Sequence, residues 1–205
     1  MSEYTIPTTE LDAVNELLAS IQEAPITSLD EAAEQSSDAV LARQKLHLAS
    51  RSVQSVGYAF NTDKCYPLAP TNAGEIEVPA GFLKASFEDY YPEDKGRFVV
   101  RGKRVYDRLK HTYNIARTLY ADVTVILEYD DLPQAAKDYI TKIATRAFQT
   151  QIEGETANYR FTREDIESAE VNLQNTDGDA ADYNMFNAPD RTTMNIAGRF
   201  SPRSH

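Results

Sequence analysis

The sequence predicts an α+β chain: a four-helix bundle interrupted by a β-rich insertion lobe and followed by an extended C-terminal tail. Three observations predict it. Apolar residues recur at helical spacing near both ends, prolines and glycines cut the middle into short alternating pieces, and beyond about residue 175 neither period persists. The expected organisation is a first helical pair in 1–56, the insertion in 57–131, a second helical pair in 132–176 and the tail in 177–205.

The first helix is signalled by Thr9 and Asp12 as an N-cap pattern, and Leu11, Val14, Leu18 and Ile21 form its apolar stripe. Pro25 is expected to stop it. Ser28 with Glu31 predicts the start of a long second helix, whose seam is Ala39, Ala42, Leu46, Ala49, Val53 and Val56, ending near Gly57. Its alanines permit close helix approach. Pro67, Pro70, Pro79 and Pro92 then divide the insertion, where the clearest strand signal is the alternation of Val123, Val125, Leu127 and Tyr129 with Thr124, Ile126 and Glu128. The clearest turn is in Phe98–Asp107, where branched and aromatic residues flank Gly102; a glycine takes positive φ at little cost, so the chain reverses there as a hairpin. Helix returns after Asp131, read as a cap, with Pro133 in the first turn. Ala136, Ile140, Ile143, Ala144, Ala147 and Gln151 map the inner face, and Gly154 ends the run. Thr162 and Asp165 open the fourth helix, with the stripe Ile166, Ala169 and Leu173.

Composition narrows the functional classes. The 205 residues are 41% hydrophobic and 26% charged, enough for a substantial core without covalent staples. Cys65 stands alone, which excludes an intramolecular disulfide and a cysteine metal cage and fits synthesis in a reducing compartment. No stretch free of Asp, Glu, Lys and Arg approaches the roughly 20 residues of a membrane span. The N-terminal residues lack the basic-then-apolar order of a signal peptide, so neither membrane insertion nor export by that route is expected.

The formal charge of −11 is unevenly spread: residues 1–42 hold nine acids and no Lys or Arg, whereas 95–110 hold seven basic residues against Asp107 alone. One reading is two solvated faces, the basic residues guarding a β edge. The sharper one is complementary contact between neighbouring copies, with Arg101, Lys103 and Arg104 at the hairpin as the assembly residues. The basic hairpin also raises a DNA-binding reading, with Tyr106 or Tyr113 stacking on bases, but the strongly acidic chain repels phosphate at long range.

Reaction chemistry finds little support. His47, His111 and His205 form no ligand-spaced pair, and nucleophile-elbow, Walker and dinucleotide patterns are absent. No cofactor or metal site is expected. Two carboxylates of the glycosidase kind could meet among 32 acids, yet no particular pair stands out. In the tail, Tyr183, Met185, Phe186, Met194, Ile196 and Phe200 are apolar anchors too scattered for a core, which predicts a segment that becomes ordered on a partner.

Several segments then agree with one family in order and spacing. They are Ala13-Val14-Asn15 through Ile26 and Ser28-Leu29; Arg51 through Gly57-Tyr58-Ala59-Phe60-Asn61; Val100-Arg101-Gly102 through Tyr106-Asp107; and Asp131-Leu132-Pro133 with Tyr139-Ile140 and Ala144 to Phe148. Together they resemble the tail tubular protein A family of short-tailed, T7-like bacteriophages across roughly residues 10–172. The family usually has Trp at the position of Tyr58 and Gly at that of Gln22.

The resemblance implies an adaptor, or gatekeeper, made in the host bacterial cytoplasm and built into the virion tail. It implies a dodecameric ring between the portal protein of the head and the nozzle of tail tubular protein B, with tail fibres near the lower junction. Such a ring closes the packaged head and forms part of the conduit through which double-stranded DNA passes without sequence-specific binding. Acids facing that conduit would keep DNA from adhering to it. The tail residues Tyr183, Phe186, Met194 and Phe200 are the expected portal anchors. Two other functions stand beside it, a phage-tail glycan hydrolase and a DNA-binding module.

Overall fold

The computed structural model describes residues 8–30, 36–88, 90–91, 95–154 and 159–187, and for 180–187 the backbone alone. Helix α1 (Glu10–Ala19) begins as its sequence predicts. The Thr9 hydroxyl accepts the Asp12 N–H, and the Asp12 carboxylate accepts the Thr9 N–H, so two orphan donors are satisfied reciprocally. Val14 and Leu18 are fully buried, joined by Ala13 and Leu17. The helix ends well before Pro25, with Ser20 as C-cap and Gln22 at φ +64. That left-handed conformation suits glycine, and here a Gln adopts it. Asn15 then fixes the returning chain, since its side-chain amide both donates to the Ile26 carbonyl and accepts the Ile26 N–H.

Helix α2 (Ser37–Gln54) starts later than expected. Its N-cap is Ser36, while the Ser28 hydroxyl instead accepts the Asp30 N–H and Glu31 lies outside the described residues. The alanine seam is buried from Ala39 to Val53, but Val56, beyond the Ser55 C-cap, is exposed.

The lobe contains strands β1 (Thr62–Leu68), β2 (Phe82–Ser86), β3 (Phe98–Arg101), β4 (Arg104–Asp107) and β5 (Leu119–Val125). An antiparallel sheet of order β1-β5-β2 and the separate β3-β4 hairpin enclose Leu68, Ile76, Phe87, Phe98, Val105, Leu119, Ala121 and Val123. The expected strand is therefore displaced toward the N-terminus. Its alternation was read to Tyr129, but pairing stops at Val125, and Tyr129 belongs to the helical core.

Helix α3 (Gln134–Glu153) packs against α1, α2 and α4 (Arg163–Asn187). Asp131 is not its cap; Pro133 occupies that position, and the neighbouring Asp130 serves α1 by accepting the Glu10 N–H. Ala136, Ile140 and Ala144 are buried as expected, whereas Ala147 and Gln151 are exposed and Phe148 is buried in their place. Gly154 ends the helix at φ +73. On α4, Thr162 and Asp165 exchange capping hydrogen bonds, and Ala169 and Leu173 are buried. This helix continues to Asn187, past the point where an extended tail was expected at 177. One interior glycine, Gly178, costs only about 1 kcal/mol, and the Asp177 carboxylate ties the helix back by accepting the Ala59 N–H.

Two polar side chains join the helical layer to the lobe. Gln54, fully buried at the end of α2, donates to the Leu127 carbonyl and accepts the Leu127 N–H. Asn61 donates to the Gln54 and Val125 carbonyls and accepts the Tyr58 N–H. Both covalent crossings between the layers, near residues 57–62 and 125–129, are thereby held by side-chain to backbone bonds in a buried setting.

Candidate functional site

The hairpin has the predicted register: Phe98 faces Asp107, and Arg101 faces Arg104 across the two-residue loop Gly102-Lys103. Gly102 takes φ +62 at the first loop position, where a tight type II′ reversal requires it. Two arginines directly opposite each other repel. The fold answers this with aromatic rings, placing the Arg101 guanidinium 4.0 Å over Tyr106 and the Arg104 guanidinium 4.2 Å over Tyr113. The rings meet edge to face at 4.9 Å, so the four side chains form one stacked ladder.

Carboxylates compensate three of the seven basic residues of the run 95–110, Lys95, Arg97 and Arg104. Both carboxylate oxygens of Glu75 accept from Arg104 Nη1, at 2.8 and 2.9 Å, and Glu88 lies 3.6 Å from Lys95. Arg97 holds Asp107, which is nearly buried. The Arg97 hydrogen bonds, helped by the Leu109 and Lys110 N–H groups and opposed by burial, lower the Asp107 carboxyl to a pKa of about 2. Among the described residues Arg101, Lys103 and Lys110 take part in no ion pair. Nor is the second hairpin strand an open edge. Val105 donates to the Ile76 carbonyl and Val78 to the Lys103 carbonyl, so residues 76–78 cover it.

The acidic N-terminal region is also partly engaged within the chain. Glu10 receives Arg43 Nε and His47 Nε2, each at 2.7 Å. Burial opposes its charge, but these hydrogen bonds prevail and hold its carboxyl below the usual range. Asp12 is the capping carboxylate, and Glu16 lies 3.7 Å from Arg160. The acid-rich helices and the basic hairpin thus each have local partners. Of the predicted tail anchors, Tyr183 and Phe186 fall on α4, while Met194 and Phe200 lie outside the described residues.

A surface that the sequence reading missed lies along α2. Val40 and Leu48 are 45% and 56% exposed, and with Ile126 they border an open groove of about 600 Å³. Signal for it existed in the spacing of Val40, Gln44, Leu48 and Arg51, but the alanine seam on the opposite side dominated the reading. Among the described residues no three His, Cys, Asp or Glu side chains are placed to hold a metal ion. No described helix is long and apolar enough to cross a membrane.

The arrangement is one of ladders, caps and compensated charges across two packed cores. The family model described as "Tail tubular protein" matches residues 11–183, spanning both cores and the hairpin. The chain is also 25% identical over 150 residues to the Tail tubular protein A of Klebsiella phage KP34, a match covering 73% of this chain and 76% of that protein. With one family pattern running through the helical layer, the lobe and the returning helices, the chain belongs to the tail tubular protein A family and is a structural component of a bacteriophage virion tail.

Proposed function

We propose that this tail component is a ring-forming adaptor that joins the portal to the tail nozzle, closes the packaged head and forms part of the conduit for DNA ejection. The observation that carries the reading is the family match across residues 11–183. A second feature supports it. Gln54 and Asn61 bond a helical layer to a β lobe, so that one chain offers two different layers, as a part that spans two partners requires. In this reading the helical bundle with the segment beyond Asn187 engages the portal, and the lobe faces the nozzle and fibre junction. Subunits repeat about the tail axis, twelve to a ring. The role is mechanical and needs no cofactor.

DNA binding by the hairpin is not favoured, because Glu75, Glu88 and Asp107 compensate Arg104, Lys95 and Arg97 and the chain carries a formal charge of −11 that repels phosphate. The test is to replace Arg101, Lys103 and Arg104 together with Ser and to supply the variant to tails assembling without the parent chain. Lys103→Ser shifts stability by only about 0.5 kcal/mol, and loss of the exposed stacking and ion-pair contacts of Arg101 and Arg104 costs about 0.5–1 kcal/mol each, so the fold persists. Tail completion should weaken. Infectious tails formed as efficiently as with the parent, at every salt concentration, would remove the hairpin from the assembly surface.

A further inference from the structure

Helices α2 and α4 both pack on α3, yet they carry opposite charge. Within its 18 residues α2 has Arg43, Lys45 and Arg51 against Asp38. The 25 residues of α4 hold seven acids against Arg163. Each helix also leaves apolar surface outside: Val40 and Leu48 on α2, and Val171, 54% exposed, on α4.

We propose that the outer face of α2 in one copy receives the outer face of α4 in the next, with Val171 entering the groove between Val40, Leu48 and Ile126. The proposal rests on the ring-forming adaptor reading and names its subunit contact. On α2 the stripe Val40, Gln44, Leu48 and Arg51 is continuous and exposed, and His47 flanks it. Arg51 takes part in no ion pair among the described residues, and Glu128 is the one carboxylate at the groove wall. On α4, Glu164, Glu167, Ser168 and Val171 share one exposed face, and Asp179 continues it two turns further. Glu10 already holds Arg43 and His47 within the chain, and Arg163 bridges Glu167. The charge left for this contact is therefore Arg51 beside the apolar groove and the remaining acids of α4 around the apolar knob.

Charge also selects the geometry. Two α2 faces placed together would oppose Arg51 to its own copy, and two α4 faces would oppose glutamates. Like-charge juxtaposition discourages both self-pairings. The pairing that remains uses different surfaces on the two partners, and such head-to-tail contacts close into rings when the rotation between copies allows. Apolar burial at Val171 provides attraction, while the charges set partner and register.

The test uses the full-length chain, with Cys65→Ser to remove its own thiol, assembled into tails and then oxidised. A chain carrying both Leu48→Cys and Val171→Cys should give a ladder of covalent multimers, whereas either cysteine alone should give none. Tails that contain the doubly substituted chain and remain infectious, yet give no ladder, overturn the contact and leave the adaptor reading standing. Failure of the unsubstituted chain to enter tails would instead overturn that reading. Charge reversal provides an independent arm. Arg51→Glu should lower incorporation about tenfold, and adding Glu167→Arg should recover most of it. No recovery, or cross-linking of Leu48→Cys to Phe200→Cys in place of Val171→Cys, assigns the groove to another occupant and overturns the proposal.

Discussion

At the residue scale, Asp107 shows how one carboxylate organises the lobe. It accepts from Arg97 and from the Leu109 and Lys110 N–H groups, and its own N–H pairs with the Thr112 carbonyl, so strand end and loop are fixed together. Its pKa falls from 3.8 to about 2 on folding. A depressed carboxyl contributes stability above its unfolded pKa and loses it as pH falls toward the folded value. The lobe should therefore weaken by about 2 kcal/mol between roughly pH 4 and pH 2, the worth of a shift of that size. Glu10 and Asp122, also lowered, add in the same direction. Urea titrations across this range measure the loss, and Asp107→Asn should flatten its pH dependence while costing about 3 kcal/mol at neutral pH, because Arg97 loses its carboxylate. An unchanged acid slope in that variant would show that other groups control it.

At the element scale, α3 shows both what was legible in the sequence and what was not. Ala136, Ile140 and Ala144 announced the inner face through helical spacing. Extending that face through Ala147 and Gln151 failed because the buried side runs on through Thr145, Phe148 and Gln149, and polar residues share it along the whole helix. Lys137 Nζ donates to the Asp130 carbonyl, Thr141 donates to the Lys137 carbonyl, and Gln149 donates to the Ser20 carbonyl, so all three are buried at little cost. A hydrophobicity pattern cannot report partners that only the fold supplies. The same limit hid part of the lobe's charge compensation, since Glu75 is distant in sequence from the Arg104 that it meets. By contrast the Thr9 and Thr162 caps and the hairpin were legible, each being written within a few adjacent residues. The corrected face makes a discriminating prediction. Ala144→Leu should overpack the core and destabilise by about 1–3 kcal/mol, whereas Ala147→Leu should change stability by less than about 0.5 kcal/mol. Equal thermal shifts for the two variants would contradict the observed face.

At the scale of the whole molecule, two apolar cores are joined through few polar groups, and those groups decide whether the chain behaves as one body. The order of residues from Gln54 to Asn61 gave no role for either amide; the fold does, because Asn61 bridges carbonyls from α2 and β5. Asn61 is 1% exposed, so no solvent replaces its bonds if it is removed. In Asn61→Ala the Val125 carbonyl and the Tyr58 N–H lose this partner, at about 1–3 kcal/mol for each buried group left unmatched, while the Gln54 carbonyl keeps the Gly57 N–H. The effect should exceed simple loss of stability. With that bridge gone, the helical layer and the lobe have fewer shared contacts, and their unfolding should separate. Calorimetry of the parent should give one cooperative transition, and the variant should show the β lobe melting at lower temperature, ahead of the helices. Hydrogen exchange would locate the loss at β1, β2 and β5 while α1 and α3 stay protected. A variant that melts in one transition, with exchange accelerated uniformly, would show that apolar packing alone couples the two cores and that Asn61 serves only its own neighbourhood.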